Sequence, residues 1–522
     1  MMRCFIFYMI LFTLLAFSCG KGPREQQKTI EKITDGAEIP SLHEISGAQL
    51  AKSYCSDCHL FPEPAQLDKN TWKRYILPRM GHFFGIYATD TTRESLIEGG
   101  RAGQFVEKMN IFPVNPTIDT AIYNKIKRYY MDEAPEKIPM PPSRHITKGL
   151  KNFSVKKPPY KSKNPMTSFV KISEQNGIYI SDVGSSTLSI MDKNLKVVES
   201  ARTREGTVWI HEDENASYAL VVGTFNPTDM NIGYLMKLPS TSGDQPRILM
   251  QNLHRPVHVD FGDLDGDGLE DIVICEYGRN IGSLSWWKQD RSGNYRKNMM
   301  RNKPGATKAY IRDLDKNGKP DIIALFGQGD EGIFIYHNQG NGRFIEENVL
   351  RFPASYGSSY FNLFDFNKDG HEDIIFTAGD NADYDPILKD YHGIRIFLND
   401  GTNQFTEEFF CQLNGAYKAI PMDFDQDGDI DIAAISFFPD YENSPEEGFI
   451  YLENKGEMNF EASTFGGSAE GRWIAMDAGD MDDDGDMDII LGSMIFGTDY
   501  TMYFDKWLEK GLPFIILENN TK

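Results

Sequence analysis

The chain has 522 residues and a formal charge of −22, with 40% hydrophobic and 12% aromatic residues. These figures exclude wholesale disorder and collagen-like repetition. They also argue against nucleic acid as a partner, because so acidic a surface repels phosphate backbones, while cationic partners and bound metal cations suit it.

At the amino end, Arg3 precedes an apolar run from Cys4 to Phe17. That run is shorter than the roughly 20 residues needed to span a bilayer, so it reads as an export signal. Ser18, Cys19 and a polar stretch follow, and the segment resembles a bacterial lipoprotein signal. The resemblance implies a signal peptide over 1–18, lipid attachment at Cys19 and a tether over 19–44. Ala16 stands where such signals usually carry Leu, and bulky Phe17 follows it. Ordinary secretion and an uncleaved anchor are therefore the alternatives. In each case the chain is expected on the exported side, in the periplasm or at the cell surface, and as a lipoprotein it would be anchored to a membrane through its lipid. That setting is oxidising.

Beyond Cys4 and Cys19 the cysteines are Cys55, Cys58, Cys275 and Cys411, which is no disulfide framework. Cys55, Cys58 and His59 form the CxxCH pattern of c-type haem attachment. Two thiols at this spacing can each add to one haem vinyl group, and the next residue can then offer an imidazole nitrogen to the iron. His59 is the expected proximal ligand. A zinc site would need about four ligands, and Cys275 and Cys411 are solitary. A redox dithiol would need a surrounding βαβ pattern, which is absent.

The flanking sequence GAQLAKSYCSDCH, residues 47–59, resembles the first helix and haem-binding turn of small cytochromes c. The resemblance covers roughly 45–135 and implies an all-α haem domain over 45–140 carrying one haem c. Asn115 and Pro116 predict a helix start, and Ile118, Ile122, Ile126 and Tyr129 recur at helical spacing before Pro135. Between these elements a short helix through Trp72 and Tyr75 is expected to break at Pro78 and present Met80 as the sixth iron ligand. His82 and Met109 are its competitors, and core filling is the plain alternative. A proline-rich linker over 141–150 ends the region.

The sequence then changes character. DLDGDGLED from Asp263, DLDKNGKPD from Asp313, DFNKDGHED from Asp365, DFDQDGDID from Asp423 and DMDDDGDMD from Asp480 recur at intervals of 50, 52, 58 and 57 residues. Positions one, three, five and nine are Asp263, Asp265, Asp267 and Asp271 in the first segment and Asp313, Asp315, Asn317 and Asp321 in the second. The third offers Asp365, Asn367, Asp369 and Asp373, the fourth Asp423, Asp425, Asp427 and Asp431, and the fifth Asp480, Asp482, Asp484 and Asp488. Alternate oxygen-bearing side chains can converge on one point, and Gly at position six permits the bend that brings a later carboxylate to the same ion. Hard oxygen ligands at this density point to Ca²⁺, up to five ions. An EF-hand would need Glu at position twelve, where Ile274, Ala324, Phe376, Ala434 and Leu491 stand. The five segments hold 23 acids against three lysines, a net −20 that nearly equals the whole-chain charge.

Each segment is followed by a short β-type run such as DIVIC or DIIAL and then by hairpin-like sequence such as GIFIYHNQGNGRF. Four strands per repeat of about 54 residues, over the 373 residues from 150 to 522, predict seven propeller blades. Two blades without acidic segments are expected over about 165–250. NFSV from Asn152 is expected to supply the last blade's missing strand, which closes the ring and removes an open edge. The repeats resemble the FG-GAP or VCBS family, with a literal Phe261-Gly262 before the first acidic segment. That resemblance implies an all-β propeller over 151–522 with calcium loops.

Trp286 and Trp287 are expected as hairpin strand residues rather than a sugar-stacking platform, and His254 and His258 as satisfied structural histidines. The combined expectation is a multidomain chain, a small all-α cytochrome c domain followed by an all-β seven-bladed propeller. Its work would be electron transfer to a redox partner protein. Two other readings stand beside it: a haem-linked oxidoreductase with a substrate in the propeller channel, and a surface module that binds a glycan or protein ligand.

Overall fold

The computed structural model describes residues 44–87, 92–141, 144–239, 245–382, 386–496 and 501–521. The export signal, Cys19 and the tether lie outside the described residues. Among the described residues no helix is long and apolar enough to cross a membrane.

Seven sheets, each built on four antiparallel strands, stand around a central channel. The first blade uses Thr167–Ser173, Gly177–Asp182, Thr187–Met191 and Val197–Arg202, and the second Glu205–Glu212, Ser217–Gly223, Gly233–Lys237 and Arg247–Leu253. The third begins with Pro256–Gly262, the fourth with Ala306–Arg312, the fifth with Ser358–Phe364, the sixth with Ala416–Met422 and the seventh with Trp473–Gly479. These first strands touch one another in ring order, the seventh against the first, so they line the channel.

The ring closes as the sequence predicts. Phe153–Lys156 pairs antiparallel with Phe514–Asn519, Phe153 opposite Asn519, and completes the seventh blade. A two-residue strand, Thr147–Lys148, adds to the outer edge of the sixth.

Burial across a blade follows from its place between neighbours. Second strands such as Asp321–Phe326 are buried at every residue, because both faces meet adjoining sheets. The outermost strand of the first blade, Val197–Arg202, is exposed at every residue.

The expected all-α cytochrome c domain is a correction. Residues 44–141 form only short helices, Gly47–Cys55, Leu77–Phe83, Gly100–Lys108 and Thr120–Glu133, the longest of 14 residues, joined by tighter and wider turns. They do not make up an all-α cytochrome domain; the molecule is a mostly-β seven-bladed propeller with a short-helix segment against one face. Nor is the propeller all-β, since Thr501–Lys510 is helical.

Two local expectations also change. The last of the short helices starts at Thr120, capped by Asp119, whose Oδ1 accepts from the Ala121 N–H at 2.7 Å, so Asn115 and Pro116 lie before it. Pro78 does not break the chain's helical path. A π-helical turn, Trp72–Ile76, precedes it and runs directly into Leu77–Phe83, which accommodates the missing N–H.

The short-helix segment rests on the end of the propeller that carries the turns between second and third strands. Glu98 accepts from Thr228 Oγ1 at 2.5 Å, from the Asp229 N–H at 2.9 Å and from Arg279 at 2.9 Å. Tyr391 donates to the Gln66 carbonyl at 2.8 Å, and Ile387 packs into the segment's apolar cluster around Trp72 and Tyr130. The acidic turns, between first and second strands, are at the opposite end.

Candidate functional site

In the acidic turns the carboxylate at position one is the pivot of each bend. Asp263 accepts from the N–H groups of Gly266 at 2.8 Å, Asp267 at 3.2 Å and Gly268 at 2.8 Å. Asp313, Asp365, Asp423 and Asp480 take the position-six glycine N–H in the same way. The bend needs left-handed backbone at position six, where Gly268, Gly318, Gly370, Gly428 and Gly485 have φ between 81° and 97°. Position four is left-handed as well, at Gly266, Lys316, Lys368, Gln426 and Asp483.

Position nine has a second task that spacing alone does not reveal. Asp271, Asp321, Asp373, Asp431 and Asp488 are each fully buried at the start of a second strand. One oxygen of Asp373 accepts from the Phe366 N–H and the other from the Asn399 N–H, both at 2.8 Å, tying the turn to the third strand. Asp431 repeats the pattern with Phe424 and Asn454 and adds Tyr451 at 2.6 Å. Burial pushes Asp431 and Asp488 up to about 6.

The partner asparagines were not singled out in the sequence. Asn338 Nδ2 donates to the Leu264 carbonyl of the preceding blade at 2.8 Å, and Asn519 to the Phe424 carbonyl at 2.7 Å. Their signal was the Asn that ends the third strand in each of the last four blades, as in GIFIYHN and FIILEN.

Three acidic groups converge within 4.8 Å in three turns, at Asp263, Asp265 and Asp271; at Asp423, Asp425 and Asp431; and at Asp480, Asp482 and Asp484. A fourth set joins Asp315 and Asp321 with His337, which the sequence reading did not include. In the turn from Asp365, Asn367 donates to Asp369 at 2.9 Å. The donor set fits a hard cation, since Asp265 Oδ1, Asp423 Oδ1 and Asp482 Oδ1 are buried with no hydrogen-bond partner among the described residues. The first turn already draws a cation, for the Lys288 ammonium lies against Asp265 and 3.0 Å from Asp267.

At the other end of the molecule, Cys55 is the last residue of Gly47–Cys55, a helix opened by a capping box between Ser46 and Gln49. Gly47 lets this helix approach Thr120–Glu133 closely, since a Cβ there would meet the Lys125 carbonyl oxygen at 2.7 Å. Cys55 is half-buried and Cys58 exposed, and burial pushes the Cys55 thiol up to about 11.

His59 is 9% exposed, and its Nδ1 is 2.8 Å from the Leu60 carbonyl oxygen. A carbonyl can only accept, so Nδ1 carries the proton and the neutral ring's lone pair is at Nε2. Burial lowers the His59 pKa, which keeps the ring neutral. The donor set of two thiols and one oriented imidazole fits a covalently held haem. Met80 is half-buried on Leu77–Phe83, His82 stacks on Tyr87 with centroids 5.8 Å apart, and Met109 is 44% exposed.

Trp286 is a buried strand residue, as expected, and its Nε1 donates to Asp271 at 2.9 Å. His254 is also structural, bonded through Nδ1 to the Asp229 carbonyl at 3.1 Å and set edge-on to Phe105. His258 differs, being buried with no hydrogen-bond partner at Nε2.

The sequence profile of the FG-GAP-like repeat matches residues 263–324, 313–376 and 423–491, spans that take in all five acidic turns. The chain carries FG-GAP-like repeats. No curated protein sequence matches it. Among solved structures it is similar to the N-terminal domain of Nup159, at 11% identity over 72% of this chain and 99% of that one, TM-score 0.42. It is similar also to a streptogramin B lyase, at 12% over 71% and 98%, TM-score 0.46, and to virginiamycin B lyase from Staphylococcus aureus, at 11% over 70% and 98%, TM-score 0.43. Similarity this low does not bear on function. A seven-bladed propeller built from FG-GAP-like repeats is a scaffold that can serve as a binding module.

Proposed function

We propose that this chain is an exported, lipid-anchored electron carrier, in which Cys55, Cys58 and His59 would hold one haem and a calcium-stabilised propeller docks a redox partner protein. The observation that carries the reading is the buried His59 ring, next in sequence to Cys58, with Nδ1 committed to a backbone carbonyl and Nε2 left as the basic nitrogen.

The chemistry such a group supplies when bound is one-electron transfer. The chain's part is to hold and tune it. The Leu60 carbonyl fixes the tautomer and orientation of His59 and raises its basicity as a ligand. Met80 is the proposed further residue to hold the iron, and a thioether together with an imidazole would favour the ferrous state. Exposed Met109 suits that buried role less well. On the propeller side, the charges of Asp330, Arg351 and Lys303 act on His59, so the scaffold contributes to the electrostatics of the proposed redox centre. Cys19 is the proposed lipid attachment point, and the acidic turns are the proposed Ca²⁺ sites.

Purified protein from cells competent in cytochrome maturation tests this reading. Visible spectra before and after dithionite, beside a metal analysis, should give one haem and up to five calcium ions per chain. Met80→Ala should remove the sulfur-to-iron charge-transfer band. Colourless protein would refute electron transfer and leave the propeller as a binding module alone.

A further inference from the structure

The central channel holds a cavity of about 310 Å³, within the size range of small-molecule sites. Its wall combines apolar side chains with a group of cations. Lys308, 4% exposed, donates to Tyr360 Oη at 2.7 Å and lies 4.1 Å from that ring's centroid and 4.6 Å from that of Tyr310. Lys418 donates to the Met476 carbonyl at 2.7 Å and lies 5.1 Å from the other part of the same aromatic cluster, the Tyr360 ring centroid. Neither ammonium has a carboxylate at ion-pairing distance among the described residues.

The nearest buried acids, Asp260 and Asp477, act on these ammonium groups from beyond ion-pairing distance, and each is hydrogen-bonded to the next blade. Asp260 accepts from the Ile311 N–H at 2.8 Å and Asp477 from the Ile172 N–H at 2.9 Å, each clasping the next blade. Asp380 is the acid on the cavity wall, and its Oδ1 takes the Ala382 N–H at 3.0 Å.

His258 supplies the independent observation. It is 3% exposed, lines the cavity, and accepts through Nδ1 from the Ala309 N–H at 3.4 Å. The neutral ring therefore carries its proton at Nε2, and that buried N–H has no hydrogen-bond partner. An unpaired buried donor is destabilising, and an acceptor bound in the cavity would offset that cost. Burial, with the charge of Lys418 added, holds Lys308 well below the ordinary lysine range, and burial lowers Lys418 too. A bound anion would relieve both.

We propose that the channel binds a small organic carboxylate, its anionic end held by Lys308, Lys418 and His258 and its apolar body set against Trp209, Phe169 and Ile474. Trp209 lies 4.2 Å from the His258 ring between centroids, so its emission should report occupancy. This proposal does not depend on haem.

The experiment uses the full chain with calcium and follows tryptophan emission and melting temperature against benzoate, hexanoate, inorganic phosphate and the neutral benzamide. At least one of the two carboxylates should bind, benzoate at least tenfold tighter than benzamide if benzoate is the one. Lys308→Met with Lys418→Met should retain the far-UV spectrum and lose at least tenfold in carboxylate affinity, as should His258→Phe. Three results would overturn the proposal: no response to either carboxylate, equal binding of benzoate and benzamide, or a folded double variant that binds as the parent does. Phosphate binding as tightly as the carboxylates would overturn the choice of an organic ligand.

Discussion

The first two blades and the five that follow build the same four-stranded sheet with different turns. In the first blade the turn after Thr167–Ser173 is held by Ser173 Oγ, which accepts from Gln175 and Asn176 at 3.2 and 3.1 Å. In the second, Asp213 takes the Asn215 N–H at 2.6 Å. One small side chain is enough. The later blades instead wrap a nine-residue turn around a position-one carboxylate and anchor it with a buried carboxylate at position nine. Blade architecture therefore comes from the strand pattern, and the acidic turn is an addition whose like charges a bound cation would offset.

Calcium removal should break the equivalence most strongly. With EGTA the melting midpoint is expected to fall by about 10 °C or more, since loss of several ligands held by the native state alone shifts unfolding by mass action. Hydrogen exchange should accelerate at the turns of the last five blades and leave those of the first two unchanged. An identical melt with and without chelator would mean that the acidic turns bind no calcium.

Next in size is the position-nine anchor. Asp431→Asn replaces a buried acceptor of three hydrogen bonds by a group that must place an NH₂ among donors, and a loss of about 2–4 kcal/mol in urea unfolding is expected. Asp213→Asn in the second blade should lose less than about 1 kcal/mol.

A third test separates turn chemistry from the opposite end of the fourth blade. Burial pushes Glu331 up to about 7, although it accepts from the Ser358 N–H at 2.9 Å and Oγ at 2.6 Å. An acid raised in the folded state binds more protons there than in the unfolded chain, so its contribution to stability falls as pH rises from about 4.5 to about 7. Glu331→Gln should flatten that part of the pH profile, on the order of 3 kcal/mol at most, and leave calcium dependence unchanged.

The smallest effect concerns the bend. Gly318 has φ of 82° and open space where a Cβ would go, so Gly318→Ala should cost about 1–2 kcal/mol of backbone strain alone. Gly466, also with open space and without positive φ, should tolerate Ala within about 0.5 kcal/mol.

The propeller was legible because its signals are local and repeated: acids at alternate positions, Gly at six, a β-type run after each turn, and a final half-blade that matches FIYLEN. Ring closure by Phe153–Lys156 followed from the missing fourth strand. What stayed hidden depends on contacts between distant residues. The part played by Asn338 and Asn519 shows only when the neighbouring blade's carbonyl is in view. His258 looked satisfied because sequence cannot show that one ring nitrogen faces no partner. The expected cytochrome c domain failed at the level of architecture, since helical spacing around CxxCH predicts helices and not how they assemble, and a π turn absorbed the break expected at Pro78.

The most direct test of the proposed electron carrier is the intact mass of the denatured chain made in cytochrome-maturing cells. The account predicts one haem mass added to the polypeptide, retained in acid and lost in Cys55→Ala with Cys58→Ala. A parent chain that shows the bare polypeptide mass would contradict it.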